Sequence, residues 1–182
     1  MRIISGQFKG FPLESPKGLS TRPTSDKVKE ALFSMLMPYL PAQNVLDLFA
    51  GTGALGLESI SRGCGRATFV DNDPKAIAAI KRNIGFTKTY DCTKIFKMDA
   101  VTFLDKTDEK FDIIFMDPPY EKKIYEQCLM KIYENSLLNE GGIITLEWDE
   151  KVNVPQIPDF YEVIKDKKYG RVNITILKFA NQ

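Results

Sequence analysis

The chain has 182 residues, 43% of them hydrophobic and 27% charged, with a formal net charge of +1. These proportions are typical of a globular protein, and the length predicts one domain with a substantial core. No apolar run approaches the roughly 18 residues of a membrane span, and the first residues lack the apolar core of a signal peptide. We therefore expect a cytoplasmic protein that does not enter a membrane.

Histidine is absent, and the three cysteines, Cys64, Cys92 and Cys128, lie far apart in the sequence. The absence of histidine excludes Ser/His and Cys/His nucleophiles and every zinc site that contains histidine. The scattered cysteines lack metal-ligand spacing and predict reduced thiols. Any chemistry must therefore rely on carboxylates, backbone groups, aromatic rings or a cofactor.

Positive charge is concentrated near both ends of the chain. Residues 1–30 carry six basic and three acidic side chains, and residues 165–182 carry five basic side chains and one acidic. The middle of the chain is correspondingly acidic. Two basic ends are typical of a surface that binds a polyanion, although a solvated lysine-rich surface gives the same pattern.

Residues 1–41 are predicted to form a small appendage ahead of the main sheet. Residues 2–4 and 8–11 are typical of a short hairpin, and the prolines and glycine of residues 15–23 predict a loop. A helix capped by Thr24 or Ser25 follows, because apolar residues recur there at helical spacing: Val28, Ala31, Leu32, Met35 and Leu36. We expect residues 19–24 to be able to reach over a site on the main sheet.

Residues 42–182 are predicted to alternate strands with helices. The predicted strands cover residues 45–49, 67–70, 95–98, 111–116, 143–146, 161–164 and 172–179. Three of the predicted helices cover residues 54–61, 101–104 and 124–133. Another helix begins at Asp73-Pro74, and its buried face is predicted to include Ile77, Ile80 and Ile84. A Gly141-Gly142 turn precedes the fifth strand, and lysine-rich turn residues with Gly170 separate the last two. This order predicts an α/β fold whose mostly parallel sheet has an antiparallel edge.

A glycine-rich turn follows the first predicted strand. Gly51 and Gly53 would let the backbone turn sharply and approach a ligand closely, and Gly56 would let the next helix pack tightly on the strand. The G-x-G-x-x-G pattern at this position is typical of nucleotide and nucleoside sites. An ordinary strand-to-helix turn has the same pattern, so the glycines alone leave both interpretations open.

Aspartates recur at the ends of four predicted strands: Asp47, Asp71, Asp99 and Asp117. Ligands bind at that edge of an open α/β sheet. Asp71 follows Gly51 at the spacing of an acidic residue that accepts hydrogen bonds from ribose hydroxyls, whereas Asp99 could equally cap the next helix. Asp47 would repel a pyrophosphate but could hold an ammonium, which favours S-adenosylmethionine over a dinucleotide.

The tetrapeptide Asp117-Pro118-Pro119-Tyr120 directly follows an apolar strand. Its two prolines fix the backbone and leave carbonyl oxygens beside a carboxylate and an aromatic ring. The carboxylate and a proline carbonyl could accept both hydrogens of an exocyclic amine while Tyr120 stacks on the base. A rigid turn without such a function is the alternative interpretation.

The tetrapeptide matches the (Asp/Asn/Ser)-Pro-Pro-(Tyr/Phe) signature of amino-group methyltransferases that use S-adenosylmethionine, and residues 47–53 match their cofactor loop. Residues 1–6 and 19–30 resemble the leading segment of the RsmD family, whose members methylate the exocyclic N2 amine of one guanine in bacterial 16S rRNA. The resemblance covers essentially the whole chain. It implies a Rossmann-like class I methyltransferase fold with a seven-stranded sheet, in which residues 42–182 form the methyltransferase domain.

The resemblance also implies S-adenosylmethionine as cofactor, no metal, and 16S rRNA within a small-subunit particle as the partner of a monomeric enzyme. It assigns catalysis to the tetrapeptide, from Asp117 to Tyr120, and cofactor binding to Thr24, Asp47, Phe49, Gly51, Gly53, Asp71, Asn72, Asp99 and Ala100. We expect the RNA to contact Lys9, Arg22, Lys168 and Arg171. One departure is Asp71, where we associate glutamate with this family; ribose binding should survive the shorter reach.

Two alternatives remain at this point. A DNA adenine-N6 methyltransferase uses the same tetrapeptide, although this chain has no room for a separate target-recognition domain. A non-enzymatic dinucleotide-binding module would share the glycine turn and the acidic residue that follows it. Direct in-line transfer from the sulfonium to the amine would need neither a covalent intermediate nor a metal, in keeping with the absence of histidine.

Overall fold

The computed structural model describes residues 1–15, 26–118, 123–152 and 154–180. In these ranges the helices are α1 (Asp26–Met35), α2 (Ala54–Ser61), α3 (Pro74–Thr87), α4 (Ala100–Lys106) and α5 (Ile124–Glu134). The strands are β1 (Asn44–Asp47), β2 (Arg66–Asp71), β3 (Thr93–Lys97), β4 (Phe111–Met116), β5 (Leu138–Asp149), β6 (Tyr161–Tyr169) and β7 (Val172–Phe179). Among the described helices, none is both long and apolar enough to cross a membrane.

All seven strands form one sheet in the order β3-β2-β1-β4-β5-β7-β6. Strands β1 to β5 pair in parallel, whereas β7 is antiparallel to both β5 and β6. The predicted mostly parallel, seven-stranded sheet with an antiparallel C-terminal hairpin is therefore confirmed. The chain first moves outward from β1 to β3 and then returns to the other side of β1 with β4, so a crevice forms where β1 and β4 end.

Both faces of the sheet are covered by helices. On one face, Val45, Phe69 and Phe115 pack beneath α1, α2 and α3, and on the other, Leu46 and Ile114 pack beneath α4 and α5. These strand residues are at most 1% exposed. The central strands are uninterrupted apolar runs because neither of their faces meets water.

Residues 1–15 form an irregular hairpin that packs on α2 and α3. An antiparallel bridge joins Arg2 to Pro12, and the Ile3 N–H donates to the Phe11 carbonyl. The side chains of Ile3 and Leu13 enter the cluster between α2, β2 and α3. The predicted hairpin is thus present as a covering layer for these helices, with a single bridge in place of two strands.

Two predicted turns differ from the structure. Gly141-Gly142 lies inside β5, where the pairing with β4 shifts register and Gly141 has a φ of 72°. The glycines therefore allow an irregularity within a continuous strand instead of ending it. Residues 165–168 belong to β6, and the hairpin turns at Gly170-Arg171. Lysines suit β6 because it is an edge strand, where charged side chains reach water.

The close packing of Gly56 on the sheet gives a stability prediction. A Cβ on Gly56 would lie 2.3 Å from Cε1 of the fully buried Phe69 ring. A Cβ on Gly85 in α3 would lie 2.9 Å from the hydroxyl of Tyr90, the far end of an exposed side chain that can shift. We expect Gly56→Ala to lower the free energy of unfolding by about 1–3 kcal/mol through overpacking. Gly85→Ala, the helical control, should leave it unchanged or raise it by about 0.5–1 kcal/mol. Urea denaturation measures both, and equal stabilities would contradict the packing role.

Candidate functional site

Three aspartates lie where β1, β2 and β4 end. Asp47 ends β1 and pairs in register with Phe69 and Phe115, so Asp71 and Asp117 each lie two residues further along the neighbouring strands. The negative charges of both Asp117 and Asp71 act on Asp47. The sheet therefore brings together three of the four carboxylates that the sequence placed at strand ends.

Asp47 is a buried carboxyl group beside the glycine turn. It is 3% exposed, and its Oδ2 accepts a hydrogen bond of 3.0 Å from the N–H of Gly56 in α2. Burial raises the pKa of Asp47 to about 8, the Gly56 hydrogen bond opposes this rise, and the charges of Asp117 and Asp71 add to it. No cation among the described residues forms an ion pair with Asp47. The ammonium group of a ligand would supply the positive charge that could neutralise an ionised Asp47.

The glycine turn has a backbone conformation that needs glycine at two positions. Gly51 and Gly53 have φ values of 55° and 77°, in the left-handed region. A Cβ on Gly51 would meet no atom of the described residues within 4 Å, so they leave that side of the turn open. The backbone there is bare and accessible, as close approach of a ligand requires.

Asp71 holds the turn in place. Its Oδ2 accepts a 2.8 Å hydrogen bond from the Gly51 N–H, and its Oδ1 accepts one of 2.9 Å from the Asp73 N–H. Burial raises the pKa of Asp71, although these hydrogen bonds oppose the rise. A carboxylate offers about four acceptor positions, so the ribose contact predicted from the sequence stays a prediction alongside this structural role.

Asp99 caps α4, which is the alternative that the sequence left open. Its Oδ1 accepts a 2.8 Å hydrogen bond from the Thr102 N–H, and hydrogen bonds from the Thr102 hydroxyl and N–H lower the pKa of Asp99. Ala100 is buried at the start of α4. Phe49 packs half-buried against the core, and Asn72 is exposed just after β2. The contacts of these four residues with the cofactor stay predictions.

Asp117 and Pro118 directly follow β4. Asp117 is half-buried and Pro118 is buried. Pro119 and Tyr120 lie outside the described residues, as do Arg22, Thr24 and the whole predicted loop of residues 19–24. The described half of the tetrapeptide therefore lies at the same edge as Asp47 and the glycine turn.

Tyr125 is a residue that the sequence analysis missed. It lies in the first turn of α5, is 3% exposed, and donates its hydroxyl to the Glu147 carbonyl at 2.6 Å. Burial raises the pKa of Tyr125, and the charge of Asp117 adds to the rise. Tyr125 thus ties the start of α5 to β5 close to Asp117. A single tyrosine in a helical pattern carried no signal of this contact.

The predicted RNA-binding residues fall at two different places. Lys168 and Arg171 flank the β6–β7 turn, where Asp149, at the end of β5, pairs with Val172. Since β5 runs parallel to β4, this turn lies at the same edge as Asp117. Lys168 contacts Glu150 at 2.7 Å, and Arg171 contacts Asp149 at 3.5 Å.

Lys9 lies elsewhere, because its neighbours contact the far end of α2. The Phe8 N–H donates to Ser61 Oγ at 2.9 Å, and Ser61 is the last residue of the eight-residue α2. About 12 Å of helix therefore separates this position from the glycine turn. Lys29 is fully buried and so does not join the hairpin charges, and Arg2 forms an exposed ion pair with Asp26.

The raised pKa of Asp47 predicts a pH-dependent penalty on folding. The folded state holds a proton that the unfolded chain loses above about pH 4, so stability falls as pH rises from about 4 to about 8 and levels off above that. We expect Asp47→Asn, which keeps an acceptor for Gly56, to raise the melting temperature by several degrees at pH 8 and little at pH 5. Asp108→Asn, in the exposed loop before β4, is the control and should give no such trend.

Comparison with known proteins identifies the family. A family model described as "Conserved hypothetical protein 95" matches residues 1–178. The Bacillus subtilis protein YlbH is 41% identical over 98% of both chains, and "Ribosomal RNA small subunit methyltransferase D" of Escherichia coli is 31% identical over 94% of this chain and 86% of its own. The solved structure of the Escherichia coli protein yhhF aligns over 100% of this chain and 99% of its own with a TM-score of 0.88 and 29% identity.

The mostly parallel seven-stranded sheet and the similarity to yhhF confirm the Rossmann-like class I methyltransferase fold. The match extends through both the N-terminal segment and the methyltransferase region, as the motifs had indicated. The chain therefore belongs to the Conserved hypothetical protein 95 family, the RsmD family that its motifs resemble.

Proposed function

We propose that this protein transfers the methyl group of S-adenosylmethionine to the exocyclic N2 amine of a guanine in 16S rRNA. The observation that carries the proposal is the buried Asp47, which no cation of the described residues neutralises and which lies beside the glycine turn, with Asp117 and Pro118 following the adjacent strand. The name of the Escherichia coli relative, a small-subunit rRNA methyltransferase, supports the substrate class.

The residues at the edge fit the chemistry of the cofactor. Asp47 would accept a hydrogen bond from the ammonium group of the cofactor's methionine part. The open side of Gly51 would let the cofactor approach the backbone closely. Asp71 would accept from the ribose hydroxyls through the acceptor positions that Gly51 and Asp73 leave free. The bound cofactor supplies an electrophilic methyl group on a sulfonium. Phe49, Gly53, Asn72, Asp99, Ala100 and Thr24 complete the proposed binding set.

Asp117 and the Pro118 carbonyl would accept the two hydrogens of the guanine amine. These acceptors orient the nitrogen and leave its lone pair available for in-line attack. Tyr120 would stack on the base and Pro119 would keep the segment rigid. The target base must leave its stack to reach this edge, which lies at the end of a buried strand.

Lys168 and Arg171 would contact phosphates next to the target base. Three strand spacings separate β4 from β6, a distance of about 14 Å at ~4.8 Å per spacing. The ion pair of Lys168 with Glu150 is exposed and of small energy, whereas Asp149, the partner of Arg171, is partly buried. Phosphate oxygens would replace these carboxylates when RNA binds. Arg22 and Lys9 remain candidates for further RNA contacts, Lys9 at a different surface. We place the reaction in the cytoplasm, with a monomer that acts on a small-subunit particle.

The proposal is tested by incubating the protein with tritiated S-adenosylmethionine and, separately, small-subunit particles, naked 16S rRNA and duplex DNA. Digestion to nucleosides should place the label in N2-methylguanosine from particles or RNA. Label in N6-methyladenine from DNA would support the proposed cofactor site but contradict the proposed RNA substrate. If S-adenosylhomocysteine and NAD both fail to raise the melting temperature, the cofactor site itself is wrong.

Removal of the Asp117 carboxylate should separate catalysis from cofactor binding. We expect Asp117→Ala to reduce methyl transfer at least 100-fold while the Kd for S-adenosylhomocysteine changes less than about threefold, because Asp117 faces the amine and Asp47 holds the ligand. Single-turnover assays and calorimetry measure the two quantities. Asp108→Asn should alter neither, and equal losses of transfer and binding in Asp117→Ala would contradict the assigned role.

Cofactor binding should become tighter as pH rises toward 8. At lower pH Asp47 is protonated, and facing an ammonium requires loss of that proton. We expect the Kd for S-adenosylhomocysteine to fall severalfold between pH 6.5 and 8, with proton release detected by calorimetry in buffers of different ionisation enthalpy. Methylthioadenosine, which lacks the amino acid part, is the control ligand and should bind without this dependence. A pH-independent Kd would contradict the contact with Asp47.

A further inference from the structure

Asn83 is a fully buried amide on α3 that lies between the glycine turn and the N-terminal segment. Its Nδ2 donates to the Thr52 carbonyl at 2.9 Å and to the Glu14 carbonyl at 3.1 Å. Its Oδ1 accepts from the Glu14 N–H at 2.9 Å. Both donor hydrogens of the side chain are therefore used, and one amide connects three separate parts of the chain.

The contact with Thr52 completes the support of the turn. The Gly51 N–H donates a hydrogen bond of 2.8 Å to Asp71, and the Gly53 N–H donates one of 2.6 Å to the Ala50 carbonyl. Asn83 holds the carbonyl between those two glycines. Because glycines restrict the backbone least, the orientation of this peptide depends on such bonds.

The N-terminal segment reaches the turn at a second point. The Thr52 hydroxyl contacts Met1 Sδ at 3.6 Å, and the Leu13 N–H donates to the Met1 carbonyl at 3.0 Å. Residues 13 and 14 are therefore held against the turn both through Met1 and through Asn83. A change in the shape of the turn should therefore alter the hydrogen bonds of Glu14, because the Asn83 amide contacts both Thr52 and Glu14.

We propose that Asn83 is a positioning residue that couples the glycine turn to the N-terminal segment, so that cofactor binding at the turn stabilises the anchoring of Glu14. The inference rests on the proposed function, because it takes the turn to be the cofactor site. The coupling is reciprocal: whatever loosens Glu14 weakens cofactor binding, and cofactor binding protects Glu14.

The first test is calorimetric binding of S-adenosylhomocysteine to Asn83→Leu, which keeps the side-chain size and removes all three hydrogen bonds. We expect the Kd to rise about tenfold, the effect of losing one well-formed hydrogen bond that fixes the site. The matched control is Ser61→Ala. Ser61 holds the same N-terminal segment through Phe8 and Ser5, but at the far end of α2. Its loss should change the Kd less than twofold.

The second test uses the wild-type protein and does not depend on the folding of a variant. Hydrogen exchange of the Glu14 amide, which donates to Asn83, should slow severalfold when S-adenosylhomocysteine is added. Exchange of the Phe8 amide, which donates to Ser61, should not change. In Asn83→Leu the ligand should no longer protect Glu14.

The outcomes are distinguishable. If wild-type protein fails to bind S-adenosylhomocysteine, the proposed function falls and this inference falls with it. If wild-type protein binds but Asn83→Leu binds equally well, or Ser61→Ala binds as weakly as Asn83→Leu, the coupling is wrong and the cofactor site stands. If S-adenosylhomocysteine does not slow hydrogen exchange of the Glu14 amide in the wild-type protein, the coupling is also wrong.

Discussion

The main constraint at this edge of the sheet is Asp47, a buried carboxyl group that no cation among the described residues neutralises. An ionised carboxyl group in a protein interior costs several kcal/mol, so Asp47 stays protonated below about pH 8, and in the described part of the chain the Gly56 N–H supplies the hydrogen bond that opposes this cost. The apolar clusters on both faces of the sheet must supply the stability that Asp47 removes. The proposed contact of Asp47 with the cofactor ammonium would account for this cost, since function commonly opposes stability at binding sites.

Glu58 is the opposite case, a buried carboxylate that the protein itself satisfies. It accepts from the N–H groups of Ile4 and Ser5 and from Arg62 Nε, and it lies 3.4 Å from Lys29 Nζ. Burial lowers the pKa of Lys29, and the charge of Glu58 opposes that shift. This network fixes α1 and the N-terminal segment to α2. Glu58 thus has its partners within the protein, whereas Asp47 has no cation partner among the described residues.

The sequence predicted the fold well where apolar runs are long and helix caps are strong. β4 and α2 have the predicted bounds, and Asp73 caps α3 through the Lys75 N–H. Prediction from the sequence failed where contacts between residues far apart in the chain determine which side chains are buried. Lys29 counted as a surface charge, yet it is buried because Glu58, distant in sequence, faces it. Asn83 carried no signal, since its role depends on carbonyls 31 and 69 positions away.

The antiparallel strand β7 explains how a hairpin without a helix can serve the site. Because β7 runs opposite to both neighbours, the β6–β7 turn returns to the edge where β4 and β5 end. Lys168 and Arg171 therefore reach the edge of Asp117 although no crossover helix follows β5. Lys168 pairs with the exposed Glu150, and Arg171 pairs at 3.5 Å with the partly buried Asp149. In the proposed function a phosphate would replace each carboxylate, and the hairpin would add a cationic surface without disturbing the parallel strands that hold Asp47.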